Sequence, residues 1–158
     1  SWHQPEVEVA LAGEEPAPEA VAVPAEADAD SSQRGSGETL DRLHDGRFLL
    51  LEIGNGFSVG GGFFLTPAAR VDDGLLDLCL IRHASRRRIV KLLPTAFTGA
   101  HVHAPEVTIR RARRVTVRSA APLPVQVDGE ALTGQARLLD VAILPGALRV
   151  LAPHLRQD

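Results

Sequence analysis

Glycines, prolines and Asp-Gly pairs interrupt this chain at intervals too short for long helices. Between them lie short apolar runs: PEVEVAL (5–11), FLLLEI (48–53), LLDLCLI (75–81), VTIRRARRVTV (107–117), LPVQVDG (123–129), 137–144 and 147–151. In the first, Val7, Val9 and Leu11 alternate with Glu6, Glu8 and Ala10, the period-two pattern of a half-buried strand. FLLLEI is nearly continuous and predicts a buried strand, while 107–117 contains two alternating runs, Val107 to Arg111 and Arg113 to Val117. Pro145-Gly146 is a turn signal between the last two runs. Only SRRRIVKLLPTAFTG (85–99) carries helical spacing, through Ile89, Leu92, Leu93 and Phe97. Ser85 is its candidate N-cap, Gly99 its stop, and Pro94 is expected to kink or split it. Six or more short strands and one short helix predict a mainly β domain, a β-sandwich.

Composition matters where it changes along the chain. Residues 13–45 are rich in Ala, Pro, Glu, Asp, Ser and Gly, with Pro16, Pro18 and Pro24 breaking any helix. Such a segment buries too little to order itself and predicts an acidic disordered insertion. The expected organisation is therefore a first strand at 1–12, the insertion at 13–45, and the main domain at 46–158. Residues 1–46 hold 11 acidic and 2 basic residues, whereas 47–158 hold 9 acidic and 15 basic. The formal net charge of −3 hides an acidic front and a basic body.

Some classes are excluded. One cysteine, Cys79, cannot make a disulfide framework or a Cys-rich zinc site, and in LDLCLI it reads as a small buried hydrophobe. No apolar run approaches the ~20 residues of a membrane-spanning helix. The start, SWHQPEVEVALAG, lacks the basic and apolar blocks of a signal peptide, and Ser1 in a chain without Met suggests a fragment or a processed product.

Four motifs could carry chemistry. GNGFSVGGG (54–62) places five glycines in nine positions: Gly54, Gly56, Gly60, Gly61 and Gly62. Without a following Lys-Ser/Thr or a helix it is neither a P-loop nor a Rossmann fingerprint. It reads either as a structural bulge or as a cleft wall, with Asn55 as the polar side chain facing the cleft. VDDGLLD (71–77) offers Asp72, Asp73 and Asp77, either as a capped turn or as a hard-cation site built from one carboxylate and turn carbonyls. VDGE (127–130) places Asp128 and Glu130 where i and i+2 of a strand share a face, either as a plain hairpin turn or as a base with its orienting partner. The basic residues gather at Arg82, Arg86, Arg87, Arg88 and Lys91, and at Arg110, Arg111, Arg113 and Arg114. They form a solvated exterior or attract anionic lipid head groups. No aromatic residue interleaves with them, so nucleic acid is not the expected partner. His101 and His103 lack a third ligand at zinc spacing and read as a loop connection.

Together, IGNG (53–56), GGGF (60–63), TPAARVDDGLLDLCLI (66–81), LLPTAFTGAHVHAPEV (92–107), PLPVQVDGE (122–130) and LPGALRVLAP (144–153) resemble the C-terminal domain of the bacterial lipid kinases, the diacylglycerol kinase and sphingosine kinase superfamily. The resemblance implies a β-sandwich of the NAD kinase/diacylglycerol kinase C-terminal type. It also implies an N-terminal lobe that binds ATP through a Gly-Gly-Asp-Gly-Thr motif, which this sequence lacks. By the same resemblance Glu130 is the general base toward a lipid hydroxyl and Asp128 its hydrogen-bonded partner. Asp73 supplies the carboxylate, and Arg70 and Leu75 the carbonyls, that hold a structural Mg²⁺. The Gly-rich loop (Gly54, Asn55, Gly56, Gly60, Gly61, Gly62) borders the lipid substrate. The insertion at 13–45 departs from the family's usual short hairpin. NAD kinases share the broad architecture, but their substrate is soluble, and the VDDGLLD and VDGE pairing favours the lipid branch. The expected protein is one domain of an ATP-dependent lipid kinase, inactive without its other lobe. It would act peripherally at an anionic membrane surface, on the inner, cytoplasmic face. The alternative is a non-catalytic lipid- or partner-binding sandwich derived from such a kinase.

Overall fold

A computed structural model describes residues 6–13, 41–132 and 136–150. Among the described residues there are nine strands and one short α-helix. The strands are β1 (Val7–Ala12), β2 (Asp41–Gly46), β3 (Phe48–Gly54), β4 (Leu76–Arg82), β5 (Val107–Ala112), β6 (Arg114–Leu123), β7 (Gln126–Val127), β8 (Glu130–Ala131) and β9 (Ala136–Ala142), with helix α1 (Arg86–Leu92) between β4 and β5. All strand pairings are antiparallel. One sheet runs β2-β1-β6-β9, a second β3-β4-β5, and β7-β8 form a separate hairpin.

The sandwich closes where period-two apolar faces meet. Val7, Val9 and Leu11 of β1 and Val115 and Val117 of β6 pack against Leu76 and Leu78 of β4 and Ala112 of β5. Strand β4 is central and buried on both faces, which is why its run LDLCLI is almost continuously apolar. Its other face places Cys79 and Ile81 beside Val107, under a lid made by Leu65, Leu92 and Ala96. Three layers result: a sheet, a second sheet, and a helical segment on that sheet's outer face.

Several expectations need correction. Asp41–Gly46, read as part of the disordered insertion, forms β2, which pairs with β1 and buries Leu43 against the core. Backbone pairing to a formed edge orders a polar segment that composition alone would leave loose. The rest of the insertion, 14–40, lies outside the described residues, as do 1–5. FLLLEI is not buried throughout: β3 is an edge strand with Leu49 and Leu50 partly exposed. Of LPVQVDG only Gln126–Val127 is a separate strand, because Leu123 still belongs to β6. Pro145-Gly146 does turn, but residues 147–150 form no strand and Leu148 and Val150 are exposed; Leu151 lies outside the described residues. Alternation without a sheet edge to pair with does not make a strand. Pro94 splits the helical segment as expected: α1 ends at Leu92 and a 3₁₀ turn continues over Leu93–Phe97. Ser85 holds the N-cap position without making a side-chain cap hydrogen bond.

Candidate functional site

Strand β3 carries the site at its C-terminal end, where the chain leaves the sheet into the glycine-rich segment. Gly54 is cross-strand from Asp77, and Glu52 is cross-strand from Cys79, so Glu52, Gly54, Asp77 and Cys79 share one face of the sheet. Arg111 of β5 completes that face beside Asp77. Toward α1 the face is apolar; toward the glycine-rich segment it becomes charged.

The glycine-rich segment is two structures. Its second half is a tight hairpin in which Val59 N–H donates to the Phe63 carbonyl at 2.8 Å and Phe63 N–H donates back at 3.1 Å. Gly60, Gly61 and Gly62 form its tip, all with positive φ, and a Cβ at Gly61 or Gly62 would meet nothing within 4 Å. The first half is anchored by buried Thr66, whose Oγ1 donates to the Gly56 carbonyl at 2.8 Å. Asn55 is exposed beside it. The segment thus presents an open backbone surface, as a cleft wall requires.

The VDDGLLD carboxylates are divided between water and core. Asp72 pairs with the exposed Arg70 side chain at 3.3 Å. Asp73 turns inward: the Leu75 N–H donates to its Oδ1 at 3.0 Å and Arg111 Nη1 donates to its Oδ2 at 3.4 Å. Asp77 is buried, and its Oδ2 has no hydrogen-bond partner. Burial first, then the nearby charge of Asp73, push its carboxyl up to about 6, against the opposing pull of Arg111 and of the Arg70 backbone N–H. Two carboxylates facing one guanidinium leave a negative charge unmatched, and one buried oxygen lacks a donor. Those residues fit a hard cation held by Asp73 with the carbonyls of Arg70 and Leu75. Among the described residues no three His, Cys, Asp or Glu side chains gather as a metal site, so a cation at this turn would rest on one carboxylate and backbone carbonyls.

VDGE is the tip of the β7–β8 hairpin, with Val127 paired to Glu130. Asp128 has φ 50° and Gly129 φ 89°, the two left-handed residues of a type I′ turn. This corrects the expectation that Asp128 and Glu130 share a strand face: one sits in the turn, the other opens the returning strand. Both are exposed, and among the described residues no hydrogen bond joins them. Glu52 of β3 has its carboxyl raised by burial first and then by the charge of Asp128. A Cβ on Gly54 would lie 3.7 Å from Glu52 Oε1. Glu52 therefore lies beside the start of the glycine-rich segment and feels the charge of the VDGE tip, and was not among the residues expected from sequence. The signal was a lone acid within the apolar run FLLLEI, two residues before Gly54.

His101 also departs from its reading as part of a loop. It is buried in a 3₁₀ turn (Ala100–His103), its Nε2 lying 3.1 Å from the Leu65 carbonyl and 3.8 Å from Cys79 Sγ. A carbonyl only accepts, so Nε2 carries the proton. Burial holds the ring below its usual pKa, with the Leu65 and Thr95 carbonyls opposing. Cys79 behaves as the small hydrophobe expected, its thiol pushed up to about 12, chiefly by burial.

Comparison with known proteins matches this arrangement to one family. Residues 2–152 match the YegS C-terminal NAD kinase β-sandwich-like domain. The chain is 38% identical over 105 residues to a diacylglycerol kinase of Mycobacterium tuberculosis (strain CDC 1551 / Oshkosh), covering 66% of this chain and 33% of that protein. It is 41% identical over 109 residues to a probable lipid kinase YegS-like protein of Pseudomonas aeruginosa (strain UCBPP-PA14), covering 69% of this chain and 35% of the relative. The chain thus spans about a third of the length of the curated relatives it matches. With residues 2–152 matched and a mainly β sandwich in the structure, the chain belongs to the YegS C-terminal NAD kinase β-sandwich-like family.

Proposed function

We propose that this chain is the C-terminal domain of an ATP-dependent lipid kinase of the diacylglycerol type. The observation that supports this reading is the family match over residues 2–152, joined to a solvent-exposed Glu130 at the tip of the β7–β8 hairpin. Exposed Glu130 is the general base that takes the proton from the lipid hydroxyl as it attacks. Asp128 supports it electrostatically from the turn, and Glu52 adds a half-buried carboxyl that shares the negative field. Gly54, Asn55, Gly56 and Gly60–Gly62 form the wall against which the lipid rests.

Asp73, with the carbonyls of Arg70 and Leu75, would hold Mg²⁺. Bound there, the cation would supply positive charge to an acidic pocket. ATP would be bound by a partner lobe: this sequence has no Gly-Gly-Asp-Gly-Thr motif, and without that lobe little or no turnover is expected. Phosphoryl transfer depends on positioning and charge neutralisation, so one lobe without the other lacks most of the machinery.

The test is complementation. Mixing the chain with the N-terminal lobe of a diacylglycerol kinase relative should restore phosphorylation of diacylglycerol, and Glu130→Ala should abolish it without moving the melting temperature. Restored activity in Glu130→Ala would overturn the base assignment. A folded, stable complex of the two lobes with no turnover would favour the non-catalytic sandwich instead.

A further inference from the structure

Three consecutive residues tie the glycine-rich segment to its surroundings. Phe64 N–H donates to the carbonyl of Ala96, in the 3₁₀ turn after α1, at 2.8 Å. The Leu65 carbonyl lies 3.1 Å from Nε2 of His101, in the next 3₁₀ turn. Thr66 Oγ1 donates back to the Gly56 carbonyl at 2.8 Å. Leu65, Thr66 and His101 are all buried. Just beyond, the helical segment comes so close at Gly99 (φ 75°) that a Cβ there would meet Pro67 Cβ at 3.2 Å. By contrast, a Cβ at Gly56, Gly61 or Gly62 would meet nothing within 4 Å, so the wall these ties place is itself bare.

A histidine is a costly side chain for this position. It touches Leu65 and Cys79, members of the apolar cluster that also holds Ile81, Leu92 and Ala96. An apolar side chain of similar volume would be buried there with no polar group to satisfy. The neutral ring satisfies Nε2 on the Leu65 carbonyl and leaves Nδ1 without a hydrogen-bond partner. Burying a half-satisfied ring weakens the fold relative to a leucine, so its contribution lies in direction and not in packing. Nε2–H aims at one carbonyl, 36 residues back along the chain. The Cys79 sulfur, at 3.8 Å, is a weak acceptor and does not compete for that proton.

We propose that His101 is a positioning residue for the glycine-rich wall. Its Nε2–H fixes the Leu65–Thr66 peptide, and the Thr66 hydroxyl carries that placement to Gly56 at the foot of the wall. Phe64 pins the same strap to the first 3₁₀ turn, so the wall follows the helical layer as one body. The inference rests on the proposed function in one respect: the placement matters to turnover only if a lipid rests on this wall.

The experiment compares site-resolved amide exchange in the full chain and in His101→Phe, His101→Gln and Ile81→Val. His101→Phe keeps the bulk and removes the donor, His101→Gln keeps a donor N–H, and Ile81→Val trims the same apolar cluster away from the ties. A buried carbonyl left without its donor loosens its segment by about fivefold to a hundredfold, so the Phe63 and Phe64 amides of His101→Phe should exchange faster by that factor relative to those of β4. In His101→Gln the ratio should stay within about threefold of the parent chain. In Ile81→Val the two sets should change together. Long-range nitrogen–proton NMR of the unsubstituted chain should show a neutral ring with its proton on Nε2, a reading that needs no variant to fold. A proton on Nδ1, a wall-to-β4 ratio unmoved in His101→Phe, or loosening in His101→Gln or Ile81→Val equal to that in His101→Phe would overturn the proposal. In the complemented kinase His101→Phe should raise the KM for diacylglycerol about threefold or more with kcat less affected, as a fault in substrate placement does. Exchange is read without turnover, so a loosened wall with unchanged KM would sink the lipid-wall reading alone, and an unmoved exchange ratio would sink the positioning role whatever the turnover.

Discussion

Two Asp-Gly turns in this molecule start from similar residues and end in opposite environments. VDDG (71–74) leads into the central strand β4, and one of its acids is drawn inward: Asp73 meets a backbone N–H and Arg111, and Asp77 just beyond is buried. VDGE (127–130) tips a two-stranded hairpin, and Asp128, Gly129 and Glu130 are all exposed. The first turn pays for its position with a buried, unmatched carboxylate oxygen. The second keeps its acids solvated. What separates them is the number of layers behind each turn, since β4 has a sheet and a helical lid on its two faces whereas β7 and β8 have neither at their tip.

That contrast predicts where each substitution is felt. Glu130→Ala should act on turnover of the complemented enzyme and not on stability, by about 10²–10⁴-fold if the base role holds. Arg111→Met should do the reverse. It leaves Asp73 and Asp77 facing each other without their cation, and urea unfolding should show a loss of about 3 kcal/mol. An unchanged midpoint would mean that the inner turn is no more structural than the outer one. Mg²⁺ should partly rescue that loss and raise the melting temperature of the unsubstituted chain, by up to ~2.7 kcal/mol at a hundredfold excess over its Kd. Asp73→Asn should remove the effect, and a Mg²⁺ shift that survives Asp73→Asn would place the cation elsewhere.

The glycines of the two turns give a smaller, graded comparison. Gly74 (φ 74°) and Gly129 (φ 89°) both need left-handed backbone, so alanine costs each about 1 kcal/mol. A Cβ at Gly74 would also sit 3.4 Å from Pro145 Cγ, whereas at Gly129 it meets nothing. Gly74→Ala should therefore be the more destabilising in thermal melts, and equal costs would show that Pro145 yields freely.

The smallest effect is a pH slope. The Glu52 carboxyl is raised above 4.5, so the folded state holds its proton more tightly than the unfolded chain does. Its contribution is intact below 4.5 and is lost as pH rises through the folded pKa. Glu52→Gln should flatten the stability profile there, and Asp128→Asn should flatten it in part, because Asp128 is the second cause of the shift. If Asp128→Asn leaves the slope untouched, the hairpin tip does not approach β3.

Much of this fold could be read from periodicity, and the misreadings share a cause. β1, β4 and the division of 107–117 into two strands were visible because burial on one or both faces imposes a pattern on the residues themselves, although the break falls at Arg113, one residue later than the alternation places it. β2 was hidden because DRLHDG is ordered by its pairing with β1 rather than by its own composition. The 147–150 run had the pattern and lacked a neighbour. The site residues Asp73, Glu130 and the glycines stood out by motif, but motifs carry no depth: nothing in the letters distinguishes an Asp that turns inward from one at a hairpin tip. Glu52 and His101 escaped for the same reason, since each acquires its role from a cross-strand or cross-turn neighbour far along the chain.

The break at Arg113 has a mechanical meaning. β5 ends at Ala112 in one sheet and β6 begins at Arg114 in the other, so a single residue carries the chain between layers. Both of its backbone groups are engaged: its N–H donates to the Ala12 carbonyl at 3.0 Å, and its carbonyl accepts from Ile143 N–H at 3.0 Å. A joint this short and this well pinned gives the sheets no slack to separate or slide. The two halves of the sandwich should therefore melt as one cooperative unit, with amide exchange in β4 and β6 slowing to the same global limit, and any motion beside the glycine-rich segment must come from hairpins at the rim and not from a hinge within the domain.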